Sequence, residues 1–448
     1  MDVGRHPNIE LLAYSEVEKV DGELGDFLVT VRKKARYVDG TKCTGCGECA
    51  EKCPSVVPDP YNLGLGTTKA IYRYFAQGIP STYTINTDVC RHFQGKKCGV
   101  CAKTCQAKAI DYDQVDETVE IEVGAIIAAT GYDLFDPLRI PEYGYGRNPN
   151  VVTALEFERF LSASGPTQGH VYRPSDLALK EKLAQKEKGR GKLVKALDRN
   201  EEKFKLSSEE FIDKYESGEL EGKDYDKWAQ QYRELKALTP EFEALREKVE
   251  NIQSAKKLAF LQCVGSRDKR FNRQCSSFCC MHAIKEAIIA KEHEAESEIF
   301  FFGMDIRAVG KGFEEFRNRG ARNAGIQYIR SRVAEITKAP DDSPVVWYEE
   351  TQAQQVRRLE VDLVILATAC EPSQGTGVLS EVLGIERDDF GFIKTDVTHP
   401  LDTTRPGIFT CGCAQGPMDI PESVAQASSA AARAAQMIME SERMRQAS

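Results

Sequence analysis

Twelve of the fifteen cysteines in this chain stand in three tight groups, and no other feature limits its fold so strongly. The groups are Cys43, Cys46, Cys49 and Cys53; Cys90, Cys98, Cys101 and Cys105; and Cys263, Cys275, Cys279 and Cys280. Scattered core thiols would not bunch in this way. The N-terminus, MDVGRHPNIELLAYSEVEKV, lacks the basic and apolar regions of a signal peptide. A cytoplasmic, reducing location is therefore expected, where grouped thiols serve as metal ligands rather than disulfides. A net charge of -9 over 448 residues argues against a nucleic-acid partner. No apolar run of about eighteen residues occurs, so no membrane span is expected. The length allows two or three domains.

The first group, CTGCGECAEKCP, has the spacing C-x2-C-x2-C-x3-C-P, the run by which bacterial ferredoxins hold 4Fe-4S clusters. Three close thiolates on a glycine-containing turn reach one cubane, and the fourth, beside proline, serves its neighbour. The second group, CRHFQGKKCGVCAKTC, stretches its first spacing to C-x7-C and continues C-x2-C-x3-C. The crossed rule assigns Cys43, Cys46, Cys49 and Cys105 to one cluster, and Cys53, Cys90, Cys98 and Cys101 to the other. A structural zinc site would not use this run. Residues 40–112 are expected to form an inserted two-cluster ferredoxin module that works as an electron wire.

The third group lies in CVGSRDKRFNRQCSSFCCMHAIK. It follows a buried-type strand, KKLAFLQCVG, and precedes an amphipathic helix, CMHAIKEAIIAKEHE. SEIFFFGMDIRA and EVDLVILATACEPS supply further strands of an α/β unit. Four thiolates at a strand-to-helix junction suffice for a third cubane, with the helix N-terminus, Arg267, Lys269, Arg270 and Arg273 offsetting its charge. A zinc site, a redox-active vicinal dithiol and inert thiols remain alternatives. Residues 174–255 are dense in Lys and Glu, with apolar residues at helical spacing; SSEEF and TPEFE are expected helix starts. This run reads as a solvated helical surface, or alternatively as a docking arm. Cys370, Cys411 and Cys413 read as small buried thiols, with Cys411 and Cys413 as the alternative redox pair.

The Ala-Thr-Gly turn at 129–131, the Ala-Thr turn at 367–368 and the segment GIFTCGCAQG resemble the two-domain flavoprotein disulfide reductase framework. The implied fold class is α/β and Rossmann-type, with a ferredoxin module and a charged helical insertion. In that framework a G-x-G-x-x-G loop holds the flavin pyrophosphate. None precedes residue 129, and VGKGFEEF offers only G-x-G. Four cysteines and one glycine occupy the place of a nicotinamide loop, which disfavours that cofactor. The closing segment suits a flavin: Gly412 allows close approach, and a helix begins near Pro421–Ser423. A small-residue helix packed on a sheet is the plain alternative. The expected division is a partial FAD-binding domain at 1–39 and 113–165, the module at 40–112, and a linker with helical insertion at 166–257. A second Rossmann-like domain follows at 258–372, then a flavin-facing segment and helix at 373–448.

RHPNIELLAYSEVEKVDG, KARYVDGTKCTGCGECAEKCP, CVGSRD with CSSFCCMHAIK, DIRAVGKGFEEF and CGCAQGPMDIPESVAQASSAAA closely resemble the A subunit of heterodisulfide reductase and its relatives. The resemblance implies an oxidoreductase subunit, working within a complex, that passes electrons between FAD and several 4Fe-4S clusters. It implies that Cys263, Cys275, Cys279 and Cys280 ligate a cluster near the flavin. It also implies that Lys285 approaches the flavin ring as the catalytic cation. Thr130, Gly131, Gly412, Cys413, Ala414, Ile420, Pro421 and Ser423 are the implied FAD contacts. Expected partners are a chain supplying the missing G-x-G-x-x-G half and sharing the FAD, heterodisulfide reductase B- and C-like or other redox subunits, and ferredoxin. Electron bifurcation is a further implication. The rival readings are a flavin-free, polyferredoxin-like adaptor and a pyridine-nucleotide disulfide reductase.

Overall fold

Alternating apolar residues make Asp26–Lys33 a half-buried strand, with Phe27, Val29 and Val31 turned inward. In the computed structural model, which describes residues 2–447, this strand pairs antiparallel with Ser15–Glu23 and with Glu117–Val123. Phe27 lies opposite Val123, and Lys33 opposite Glu117. The intervening chain leaves the sheet and returns to it. Its neck is tied by the Val38–Ile110 bridge and by the Asp39 N–H, which donates to Ala109 O at 2.7 Å. Leu383, Ile385, Ile393, Ile408 and Ala414 cover the inner face. The stretch TVEIEVGAIIA carries two strands, Glu117–Val123 and Ile126–Ala128. The chain breaks at Gly124, where Ile438 of the last helix packs close, and Ile126–Ala128 then pairs in parallel with Ile408–Thr410.

The largest sheet runs Val151–Thr153, Leu363–Thr368, Lys257–Val264, Glu298–Gly303, Gln327–Lys338, Pro344–Glu350, Gln355–Glu360. Its first five strands are parallel, and the last two extend it as antiparallel hairpins. Leu363–Thr368 is buried along its whole length, as a central parallel strand covered on both faces must be. Helices Ala154–Leu161, Cys279–His293 and Phe313–Asn323 pack on one face. There Phe157 meets Phe260 edge-on at 5.6 Å, and Phe260 stacks on Phe301 at 4.8 Å. Burying each ring stabilises the fold by about 1.5–3 kcal/mol. Val151–Thr153 joins this sheet and not the three-stranded one that holds Glu117–Val123. Val151, Val152 and Thr153 pair with Val364, Ile365 and Leu366, which buries all three. A Thr153–Glu156 capping box then starts the helix.

Between this helix and Lys257–Val264 stand the long helices Pro174–Phe204 and Lys223–Glu250, with Ser208–Glu216 between them. The first is about 45 Å long at 1.5 Å per residue. The arm has its own small core, in which Phe211 stacks on Trp228 at 3.9 Å. Ser207 and Glu210 form the capping box anticipated in SSEEF. TPEFE, however, is no helix start: Thr239 and Pro240 lie inside Lys223–Glu250. The Thr239 hydroxyl donates back to Leu235 O at 2.8 Å instead of capping, and the helix continues through Pro240.

Candidate functional site

Asp39 sets up the first cysteine turn. Its carboxylate accepts from the Thr41 N–H at 2.9 Å and pairs with Lys42 at 2.7 Å, while its carbonyl accepts from the Cys43 N–H. Gly45 then takes φ of 73°, and a side chain there would meet Ser81 O at 2.8 Å. Cys49 lies on the short helix Glu48–Glu51 and Cys101 on Val100–Thr104. The stretched C-x7-C spacing is held by the Gln94 N–H donating to Cys90 O and by His92 Nδ1 at 3.0 Å from Cys98 O.

Two pockets result. Cys43, Cys46, Cys49 and Cys105 line one. Cys53, Cys90, Cys98 and Cys101 line the other. The two sets of thiols surround two separate spaces. Burial pushes the Cys49 thiol up to about 12 and raises Cys101. A coordinated metal replaces such a proton outright. The Ala109 N–H donates to Cys105 Sγ at 3.3 Å. Tyr112, which sequence reasoning missed, places its hydroxyl 3.0 Å from Cys101 Sγ and stacks on His92 at 3.8 Å. Its only sequence signal is a lone aromatic in AIDYD, past the last cysteine of the run.

At the third group, Cys263 sits near the end of its strand with φ of 61°, where the pairing register slips. Gly265 follows at φ of 82°, in a place where any side chain would collide with Phe135. Arg267 N–H donates to Gln274 O and Asn272 N–H to Gly265 O, closing the loop that carries Cys275 back. The Ser277 N–H donates to Cys275 Sγ at 3.4 Å. Cys279 and Cys280 open the helix and are buried. Cys279 hydrogen-bonds to Cys280, which raises the first thiol and pulls the second down to about 7.

Of the four cations expected to offset charge, Arg267 interacts with Cys263 and pairs with Asp305. Arg270 is turned to Asp268, and Lys269 and Arg273 are exposed. Both amide atoms of Gln262 and of Gln274, and the Ser266 hydroxyl, are buried without a partner beside this group. Buried polar atoms are seldom left so. Unpaired donors next to four cysteines fit a group with sulfide acceptors.

Thr130 and Gly131 lie just before the strand Tyr132–Leu134, which pairs with Cys370–Pro372. Thr130 Oγ1 is 2.9 Å from Thr376 Oγ1, and Gly131 takes φ of 71°. Gly412 lies against Ser423, but its N–H donates to Gln426. Ala414 is packed in the core and gives its carbonyl to the Ile393 N–H. The last helix supplies fewer free donors than its sequence suggested. Asp419 caps it by accepting from the Glu422 N–H at 2.8 Å, and its carbonyl takes the Ser423 N–H. Ile420 and Pro421 are exposed, Ile420 at 80%. Tyr132 and Val424 are exposed as well. Lys285 is exposed, about 1.7 turns beyond Cys279. Cys413 does not pair with Cys411; its thiol donates to Met418 O at 3.4 Å and is influenced by Cys370.

The sheet and the cysteine-lined pockets define an iron–sulfur protein, and residues 36–58 match the 4Fe-4S binding domain family. Over 97% of its length the chain is 38% identical to the A subunit of the H(2):CoB-CoM heterodisulfide,ferredoxin reductase of Methanothermobacter marburgensis, covering 54% of it. It is 41% identical, over 97% of its length, to the A 2 iron-sulfur subunit of the CoB--CoM heterodisulfide reductase of Methanopyrus kandleri, covering 55% of it. A protein of Archaeoglobus profundus named as like the heterodisulfide reductase A subunit is 38% identical over 98% of this chain, with 58% of its own length covered. The chain belongs to the heterodisulfide reductase A-subunit family and spans about half the length of the curated relatives it matches. A solved thioredoxin reductase of Lactococcus lactis aligns with 42% of this chain and 54% of its own, at 21% identity and a TM-score of 0.29. Among the described residues, no helix is long and apolar enough to cross a membrane.

Proposed function

We propose that this chain is the iron–sulfur and flavin-facing part of an oxidoreductase subunit that passes electrons between FAD and 4Fe-4S clusters inside a heterodisulfide reductase-like complex. The carrying observation is the pair of pockets, each lined by the crossed set of four cysteines. Cys43, Cys46, Cys49 and Cys105 hold one cluster, and Cys53, Cys90, Cys98 and Cys101 its neighbour. Cys263, Cys275, Cys279 and Cys280 hold a third, with Gln262, Gln274 and Ser266 as donors toward its sulfides.

A bound FAD supplies the exchange between two-electron and one-electron transfer. Thr130, Gly131, Tyr132, Ile420, Pro421 and Ser423 form this chain's edge of its site, and Lys285 is the cation toward its ring. The pyrophosphate loop comes from a segment outside these 448 residues, which also buries the exposed Ile420 and Val424. Two separate cysteine regions give two exits for electrons, the arrangement that bifurcation at a flavin requires.

Native mass spectrometry of the isolated complex tests this reading. About twelve irons on this chain, four per cubane, together with FAD are expected. About eight irons would remove the third site. A complex with no flavin would instead favour the adaptor reading, in which the charged helical arm docks partners.

A further inference from the structure

Residues 126–134 hold two distant parts of the chain side by side. Ile126–Ala128 pairs with Ile408–Thr410, which leads into the turn Gly412–Ala414 and so positions Cys413. Tyr132–Leu134 pairs with Cys370–Pro372 and so positions Cys370. These two pairings bring the thiols within range of each other's influence. They differ in access. Cys370 is 1% exposed, and its N–H donates to the Ser276 hydroxyl at 2.9 Å. Cys413 is half-buried, with Sγ 3.4 Å from Met418 O. The neighbouring Cys370 thiol pulls the Cys413 thiol down to about 6, while Cys413 and burial raise Cys370. Cys411, two residues from Cys413, is buried apart and raised by burial alone.

We propose that Cys370 and Cys413 form a reversible dithiol–disulfide couple, with Cys413 the attacking and Cys370 the resolving thiol, and with an organic disulfide as its oxidant. The Cys413 thiolate attacks one sulfur of the disulfide R–S–S–R. A mixed disulfide forms, and one thiolate leaves and takes a proton. Cys370 then loses its proton and attacks Cys413 Sγ, releasing the second thiol. The protein gains one S–S bond and gives up two electrons and two protons, and one disulfide becomes two thiols. Neither a flavin nor a cluster is needed for this exchange, so it stands or falls separately from the proposed electron route. An accessible low-pKa thiol beside a buried partner is the arrangement that makes such exchange selective.

The test uses the full chain, isolated without oxygen and equilibrated with mixtures of glutathione and glutathione disulfide. After an acid quench and alkylation, its peptides are mapped by mass spectrometry. Wild-type protein should give one Cys370–Cys413 cross-linked peptide whose yield rises with the disulfide fraction. Cys370→Ser should trap a glutathione adduct on Cys413 at least about tenfold more than wild type does. Cys411→Ser should leave the cross-link unchanged. The wild-type map alone is decisive, so no variant has to fold for the test to count. A Cys413 that stays unmodified in the most oxidising mixture, or that pairs with Cys411, overturns the proposal. So does an adduct equally persistent in wild type and Cys370→Ser.

Discussion

The ferredoxin-like module and the Cys263–Cys280 loop present the same ligand, a cysteine thiol, from very different supports. In the module the ligands are part of the core. Three of its eight buried core residues are Cys49, Cys90 and Cys101, and its regular elements are a few residues long. In the loop, Cys279 and Cys280 are two buried members of a much larger apolar core that includes Phe157, Phe260, Ile284 and Ile365. If metal binds both, its loss should open the module, whose core is small and partly made of ligands, and spare the large sheet.

The largest effect separating the two should come from stripping iron with a chelator under anaerobic conditions. Hydrogen exchange should then rise throughout residues 43–112, while the amides of Leu258–Leu261 and Leu363–Ala367 stay protected. Equal loss in both regions would break the comparison.

Next in size are single ligand replacements in the module. Cys53→Ala and Cys105→Ala should each cost about four irons. Protection should fall around residues 90–101 in Cys53→Ala and around 43–49 in Cys105→Ala. The opposite pattern would mean that the ligands are not crossed.

Cys279→Ala should also lose about four irons, yet change the stability of the large sheet by no more than about 1–2 kcal/mol, the scale of a small core truncation. Denaturant-dependent exchange of the Leu363–Thr368 amides measures this. A collapse of those amides would show the loop to be as metal-dependent as the module.

The smallest effect is expected from Tyr112→Phe. Removing a hydroxyl 3.0 Å from Cys101 Sγ takes away a donor that favours the reduced, more negative cluster. That cluster's potential should fall by on the order of tens of millivolts, read by redox titration with paramagnetic resonance detection. An unchanged potential would mean that Tyr112 only packs.

What could be read from the sequence follows how local each signal is. The cysteine run carries its geometry in its spacing, and the crossed sets reappear as the linings of two pockets. Ser207 and Glu210 form their box within one turn. Thr239-Pro240 misleads because a cap and a mid-helix Thr-Pro look alike until the preceding turn is known to be helical. NVVT is too short to show a period, so its place on the far sheet edge depends on Leu363–Thr368 and could not be read locally. Arg270 and Arg273 read as cations beside cysteines, but a side chain in a loop turns to the nearest carboxylate, here Asp268 for Arg270. Cys370 and Cys413 meet only through two strand pairings with residues 126–134, and no spacing rule reaches across such a gap.

The crossed lining of the two pockets also bears on how the protein is made. The first pocket is completed by Cys105, and the second needs Cys53 together with Cys101. A ribosome that has released Cys43, Cys46 and Cys49 has therefore delivered only three corners of a site. No four-cornered site exists until the second run emerges. If the two linings are the ligand sets, neither cluster can be fully ligated before Cys101 and Cys105 have emerged.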